Sequence, residues 1–191
     1  MKLYFNPQSR AVIAKWMLDE CGAAYEVVPI DFTKREHKSA EFLSINPAGK
    51  LPALADGDAK VFETGAICLY LADKFPDAKL APKVGAPERG RYLSLMAYSI
   101  GQVEPALGDR LLKVETDQHR GWSDYETVLD VLERELGAGP YFFGAEFTAA
   151  DVMIGSMLIW QRWLKAGAER PKLAAYVDRL LARPHAIKSG N

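Results

Sequence analysis

The chain has 191 residues, 49% hydrophobic and 26% charged, with 24 Lys plus Arg against 25 Asp plus Glu for a formal charge of −1: the composition of a globular protein, and one with no overall cationic face for nucleic acid. Two cysteines (Cys21, Cys68) and three widely spaced histidines (His37, His119, His185) supply neither a disulfide framework nor a zinc-ligand pattern, so no metal is expected. No apolar run reaches the roughly 18 residues that span a bilayer, and MKLYFNPQSR has no apolar signal core, so the expectation is a reduced, cytoplasmic protein without a membrane partner.

KLYF (2–5) reads as a short strand broken by NPQS. From Arg10 to Cys21, Val12, Ile13, Trp16, Met17 and Cys21 recur at helical spacing, and Gly22 is a natural stop. YEVVPI (25–30) is a strand, 37–45 a short helix ended by Asn46-Pro47-Ala48-Gly49, and LPALA (51–55) with KVF (60–62) a hairpin around DGD. ETGAICLYLADKF (63–75) is a helix with Ile67, Leu71 and Phe75 on one stripe, giving the order β-α-β-α-β-β-α. The proline-rich stretch 77–87 reads as a linker. Beyond it only helical periodicity is found, over 88–112, 123–137, 149–165 and 172–183. Two domains follow: an α/β domain at 1–76 and an all-helical one at 88–191. Within the second, Phe147-Thr148-Ala149-Ala150-Asp151-Val152 predicts a capped helix start, with Asp151 reaching back to the Thr148 N–H and Phe147 stapled on Val152. The helix after it is apolar on most sides and is expected to be the buried core helix.

Three features of the first domain could carry chemistry. In Gly49-Lys50-Leu51-Pro52-Ala53-Leu54, a proline at a strand start cannot donate to a ladder. Taken alone, Pro52 reads most simply as a trans edge proline. A cis bond would instead turn the Leu51 N–H and C=O outward, ready to pair with an extended ligand backbone. In Phe62-Glu63-Thr64-Gly65-Ala66 a strand runs into a helix, whose first N–H groups and positive dipole end suit a carboxylate. Thr64 adds a donor and the Glu63 carboxylate can take an ammonium, although Thr64 could equally be only a cap. In Asn6-Pro7-Gln8-Ser9-Arg10, Ser9 is expected at the N-cap, where a hydroxyl and helix N–H groups could lower the pKa of a nearby thiol. Taken alone, it is simply a capping serine.

Together these pieces resemble the glutathione S-transferase family, in its bacterial, two-domain cytosolic form. The resemblance rests on Asn46 to Leu54, on the acid-hydroxyl pair of ETGAICLYLADKF, on Ser9-Arg10, on FTAADVMIG (147–155) and on Arg183-Pro184, and it covers nearly the whole chain. It implies a thioredoxin-like N-terminal domain followed by a C-terminal helical bundle. It also implies glutathione as co-substrate, bound extended with Pro52 cis. The Leu51 backbone would pair with the cysteinyl part, Glu63 and Thr64 would hold the γ-glutamyl head, and Lys50 and Lys34 would reach the glycyl carboxylate. The activating residue departs from the cysteine-type patterns: Arg10 stands where beta-class members carry cysteine, and no cysteine lies between Tyr4 and Ala11. Ser9 is the expected catalytic hydroxyl, with Tyr4, Asn6 and the Arg10 backbone N–H as alternatives. Lowering a thiol pKa from about 8.5 to 7 takes roughly 2 kcal/mol, within reach of one hydrogen bond to the thiolate. The thiolate would attack a hydrophobic electrophile held against helix 88–112, with Tyr98 and Gln102 among the wall residues, in a homodimeric detoxifying enzyme. Competing readings are a non-catalytic interaction module of the same fold, or a glutathione peroxidase or isomerase. Cys21 and Cys68 are expected to be inert packing residues, and His37 and His119 solvated surface groups.

Overall fold

The computed structural model describes residues 1–117 and 119–188; Gln118 and the last residues of the expected helical domain, 189–191, lie outside the described residues. The chain forms two compact units. One comprises Met1–Ala78 with the tail from Ile187, the other Lys79–Ala186.

In the first unit, β1 (Lys2–Phe5), β2 (Glu26–Pro29), β3 (Ala53–Asp56) and β4 (Ala59–Phe62) form one sheet in the order β2-β1-β3-β4. β1 and β2 are parallel, with Lys2 opposite Glu26, and joined through α1 (Ala11–Glu20). β3 is antiparallel to both β1 and β4. The β3–β4 turn places Gly57 at φ +58°, a conformation glycine adopts without steric cost. The sheet is thus the expected β-α-β-α-β-β-α arrangement, a thioredoxin-like layer. α1 buries Ile13, Ala14, Trp16, Met17 and Leu18, and α3 (Thr64–Lys74) buries Ile67, Cys68, Leu71 and Ala72. Burying each Leu, Ile or Met side chain contributes about 1.5–3 kcal/mol. The segment expected as one helix over 37–45 divides into a 3₁₀ turn, Glu36–Lys38, and a short helix, α2 (Ala40–Leu43). Ser39 separates them: its extended backbone interrupts the helix, and its Oγ accepts the Phe42 N–H at 3.1 Å.

The second unit is helical: α4 (Glu88–Tyr98), α5 (Glu104–Leu112), α6 (Tyr125–Leu136), α7 (Ala149–Trp163) and α8 (Pro171–Leu181). α4 and α5 continue one another through a π-helical turn, Ser99–Val103, so the periodicity over 88–112 is a single run with one extra residue wound in. α7 is buried along its whole first three turns, as its apolar circumference predicts. Its start is tied by Asp151, which is 0% exposed. One carboxylate oxygen accepts the Thr148 N–H at 2.8 Å and the Thr148 hydroxyl at 3.1 Å. The other accepts the Phe142 N–H at 3.1 Å and the Tyr176 hydroxyl at 3.0 Å. Burial pushes the Asp151 carboxyl pKa up, and these four donors act against that rise. The stretch read as a linker is more ordered than its prolines suggest. Leu80 is buried, and its carbonyl accepts the Ala149 N–H at 2.8 Å, filling one of the N–H valences that a helix start leaves open.

Three helices end in the same backbone motif, a left-handed residue whose N–H and successor N–H close on the last carbonyls. At α1 the residue is Gly22 (φ +62°), with Gly22 N–H on Asp19 O and Ala23 N–H on Leu18 O. At α5 it is Lys113 (φ +55°), with Lys113 N–H on Arg110 O and Val114 N–H on Asp109 O. At α7 it is Lys165 (φ +52°), with Lys165 N–H on Arg162 O and Ala166 N–H on Gln161 O. The motif favours glycine. A non-glycine residue in this conformation costs roughly 1–2 kcal/mol, against about 0.3–1 kcal/mol gained by a cation at a helix C-terminus.

Candidate functional site

Two asparagines shape the edges of a groove in the first unit. Asn6 donates its side-chain amide to Ile30 O at 2.8 Å and accepts the Gln8 N–H at 2.9 Å, fixing the loop between β1 and α1. Asn46, only 1% exposed, donates to Lys50 O at 2.7 Å and accepts the Ala48 N–H at 3.0 Å, folding the turn that delivers Lys50 and Leu51. Gly49 completes that turn at φ +60°; a Cβ there would stand 2.9 Å from His37 O, so glycine is required twice over. Between the two loops lies a groove of about 430 Å³.

Of the residues singled out in the sequence, Ser9, Lys50 and Leu51 line this groove together. The Leu51–Pro52 bond is cis. Glu63 and Thr64 follow at the same end of the sheet, because Phe62 pairs with Ala53, next to Pro52. Glu63 adopts φ +68°, ψ 125° and is exposed; such a conformation in a non-glycine residue costs of order 1–3 kcal/mol and clusters at functional sites. The Glu63 side chain makes no capping bond at the start of α3, whose first N–H groups and positive dipole end suit a carboxylate. Lys34 lies elsewhere on the loop after β2, 72% exposed and paired with Asp31 at 3.6 Å, and is not among the groove residues.

Ser9 differs from expectation in one detail. The residue flanking α1 is Arg10, and Ser9 stands one position upstream. Its Oγ accepts the Ala11 N–H at 3.2 Å and donates its one proton to Asn6 O at 2.7 Å. It therefore still caps the helix, in a lone-pair arrangement rather than as the formal N-cap. Tyr4, its alternative, packs edge-on against Phe42, ring centroids 5.5 Å apart.

Other groove residues were not legible beforehand: Gln8, Phe32, His37, Lys38 and the Arg10 side chain. His37 is not the solvated group expected. It is half-buried, packs edge-on against Phe32 with centroids 5.0 Å apart, and its buried Nδ1 has no hydrogen-bond partner among the described residues. Arg35 in the left-handed region (φ +57°) turns the 3₁₀ segment back over the groove, and nothing in the local sequence marks that turn. Lys38 donates to Ala48 O at 3.2 Å, closing over the Asn46–Gly49 turn. The lining thus carries Arg10, Lys38 and Lys50 and, among the described residues, no carboxylate. With the N-terminus of α1 beside them, these cations suit an anionic, extended ligand.

Neither cysteine is among the groove residues. Burial pushes the Cys21 thiol up to about 12 and the wholly buried Cys68 thiol higher still. Among the described residues no group of three or more His, Cys, Asp or Glu could hold a metal, and no helix is long and apolar enough to cross a membrane. In the second unit, burial raises the Tyr98 pKa. The Gln102 amide is spent on a neighbouring loop, donating to Gly121 O at 2.8 Å and accepting the Ser123 N–H at 2.9 Å.

A thioredoxin-like unit with a cis proline and a cationic groove, followed in the same chain by a helical unit, defines a two-domain architecture that comparison with known proteins resolves. Residues 1–73 match the glutathione S-transferase N-terminal domain and residues 115–179 the glutathione S-transferase C-terminal domain. The chain is 32% identical over 202 residues to glutathione S-transferase 3 of Zea mays, covering 96% of this chain and 90% of that one. The crystal structure of a glutathione transferase from Methylococcus capsulatus superposes with a TM-score of 0.80 at 30% identity, over 96% of this chain and 94% of the other. A sphingomonad glutathione S-transferase complexed with glutathione gives 0.77 at 30% identity, over 97% and 94%. The chain belongs to the glutathione S-transferase family of enzymes.

Proposed function

We propose that the protein binds glutathione in the groove of its first unit and conjugates it, as the thiolate, to a hydrophobic electrophile. The observation that carries this reading is a groove whose lining includes Leu51 and three cations and, among the described residues, no acid. Glutathione offers two carboxylates, one ammonium and a thiol along an extended backbone. Leu51 pairs with the cysteinyl backbone as an added strand would. The α3 N-terminus and Thr64 take the γ-glutamyl carboxylate, and Glu63 takes the ammonium. Lys50 and Lys38 take the glycyl carboxylate, with His37 beside them; Lys34, held by Asp31, approaches only as a longer-range charge. Ser9 turns its proton from Asn6 O to the sulfur. The thiolate then forms a bond to the electrophilic carbon as the leaving group departs with its electron pair. In this reading Tyr98 borders the second substrate, Gln102 fixes the 121–123 loop, and the working form is a cytoplasmic homodimer that detoxifies electrophiles.

Glutathione titration with a thermal melt tests the binding half. At a hundred times the dissociation constant, binding adds about 2.7 kcal/mol of stability, and no shift at millimolar glutathione overturns the reading. Conjugation to 1-chloro-2,4-dinitrobenzene tests the chemistry. One observation favours the non-catalytic module: the Ser9 proton is already committed to Asn6 O. Glutathione binding without turnover of a broad electrophile panel would select that second reading.

A further inference from the structure

Arg10 is out of place by the rules that shape helix starts. It flanks α1 at the position that favours Ser, Thr, Asp or Asn, and an arginine side chain carries only donors, so it cannot accept a helix N–H. Its positive charge adds to the positive dipole end of α1, whose first turn holds no acid to offset it. The N–H that a cap would hold is taken instead by Ser9, one residue upstream, at 3.2 Å. A local conflict of this kind, on the wall of a groove, points to a use for the charge. Arg10 is exposed and lines the groove from the β1–α1 loop. Lys38 and Lys50 line it from the side of the Asn46–Gly49 turn, where Lys38 donates to Ala48 O.

The charges of groove and ligand match only when Arg10 is included. Arg10, Lys38 and Lys50 in the lining, less the Glu63 carboxylate at the start of α3, carry a net charge of +2. Glutathione, with two carboxylates and one ammonium, carries −1 as the thiol and −2 as the thiolate. Without Arg10 the protein groups match the thiol; with it they match the thiolate. Ser9 brings no charge, and its single proton is given to Asn6 O at 2.7 Å until the hydroxyl turns.

Resting on the glutathione reading above, we infer that the Arg10 guanidinium is a further catalytic group, which meets the sulfur and holds it as the thiolate. The S–H bond breaks with its proton going to water, and the electron pair stays on sulfur beside Arg10. That pair then forms the bond to the electrophilic carbon, as the leaving group departs with its own pair. Ser9 and the α1 N–H groups supply hydrogen bonds, and Arg10 supplies the charge.

Ultraviolet titration of the thiolate of bound glutathione, without electrophile, tests this on the wild type and on Arg10→Gln, Arg10→Lys and Arg10→Asp. An opposite charge a few ångströms away lowers an acid's pKa by about one unit or more, and about one unit is expected at an exposed site. Arg10→Gln should therefore raise the bound thiol pKa by about one unit. Its kcat/KM for 1-chloro-2,4-dinitrobenzene on the acid limb should fall about tenfold. Arg10→Lys should recover most of this loss, and Arg10→Asp should raise the thiol pKa further. Stability should run the other way: losing a cation at the α1 N-terminus, and above all gaining an acid there, should hold or raise the melting temperature. S-methylglutathione, which has no ionisable thiol, should bind wild type and Arg10→Gln alike. An unmoved thiol pKa in Arg10→Gln, with glutathione still bound, would overturn the inference and leave the glutathione reading standing. An equal loss of S-methylglutathione affinity would overturn it in favour of a carboxylate contact. An effect confined to electrophiles that carry a carboxylate would overturn it in favour of substrate selection. Failure of the wild type to bind glutathione would overturn the reading of the groove and the inference together.

Discussion

Ser9→Ala separates a structural from a chemical role, because the two act on different observables. The Ser9 Oγ takes the Ala11 N–H at 3.2 Å and gives its proton to Asn6 O at 2.7 Å. Removing it leaves the N–H of the buried Ala11 without that acceptor, a loss of about 1 kcal/mol on the scale of N-cap deletions. For a chain of this length that lowers the melting temperature by about 2–4 °C. If the hydroxyl also donates to the bound thiolate, its loss costs about 1.5–3 kcal/mol of thiolate stabilisation, or roughly 1–2 pKa units. The sign is fixed by the active form being the base. A depressed thiol pKa means activity present above that pKa and lost as pH falls through it, so the variant's acid limb must move to higher pH. The rate then falls most near about pH 6.5 and converges with wild type where both thiols are ionised. The assay is kcat/KM for conjugation against pH, together with the ultraviolet absorbance of bound thiolate. A lowered melting temperature with an unmoved acid limb would refute the chemical role and leave the N–H groups of α1 as the activating donors.

Asp151→Ala removes the acceptor for four donors in a site with no exposed surface. The two hydroxyls can turn elsewhere, whereas the Phe142 and Thr148 N–H groups cannot. At about 1–3 kcal/mol for each stranded donor the loss is about 3–5 kcal/mol, a melting-temperature drop of roughly 10 °C or more. Asp151→Asn should recover little of this, because one end of its amide is a donor facing donors; near-wild-type urea unfolding of either variant would contradict the accounting. With Cys21 pushed up to about 12 by burial, its thiolate fraction at about pH 8 is roughly 10⁻⁴, against about a quarter for an unperturbed thiol. Labelling with a disulfide reagent should therefore be slow in the native protein and reveal both cysteines only in denaturant. The native thiol keeps a proton that the unfolded one releases, so stability should fall as pH rises from about 8.5 towards 12; a fast-reacting native thiol would sink this reasoning.

The parts of the fold that were legible are those set by short-range rules. Alternation and breakers mark β1 to β4, a periodic apolar stripe marks α1 and α3, and Gly22 marks the end of α1 with the residue the motif prefers. The Thr148–Asp151 pair was readable for the same reason, since its hydrogen bond closes over three residues. Lys50 and Leu51 could be placed because Asn46 and Gly49 write their turn into the local sequence. Lys38 and His37 could not. They reach the groove through a left-handed Arg35, a residue type that announces no turn, and through contacts with Ala48 and Phe32 that depend on tertiary packing. Leu80 was hidden by the prolines around it, although its partner, the Ala149 N–H, is a valence every helix start must satisfy somewhere. The ends of α5 and α7 show the same limit from the other side. Sequence reading searches for glycine at a helix stop, so a lysine in that conformation passes as an ordinary surface residue. Once the backbone is known, its position runs against local preference, and side-chain function is most economically sought where such conflicts fall together in space.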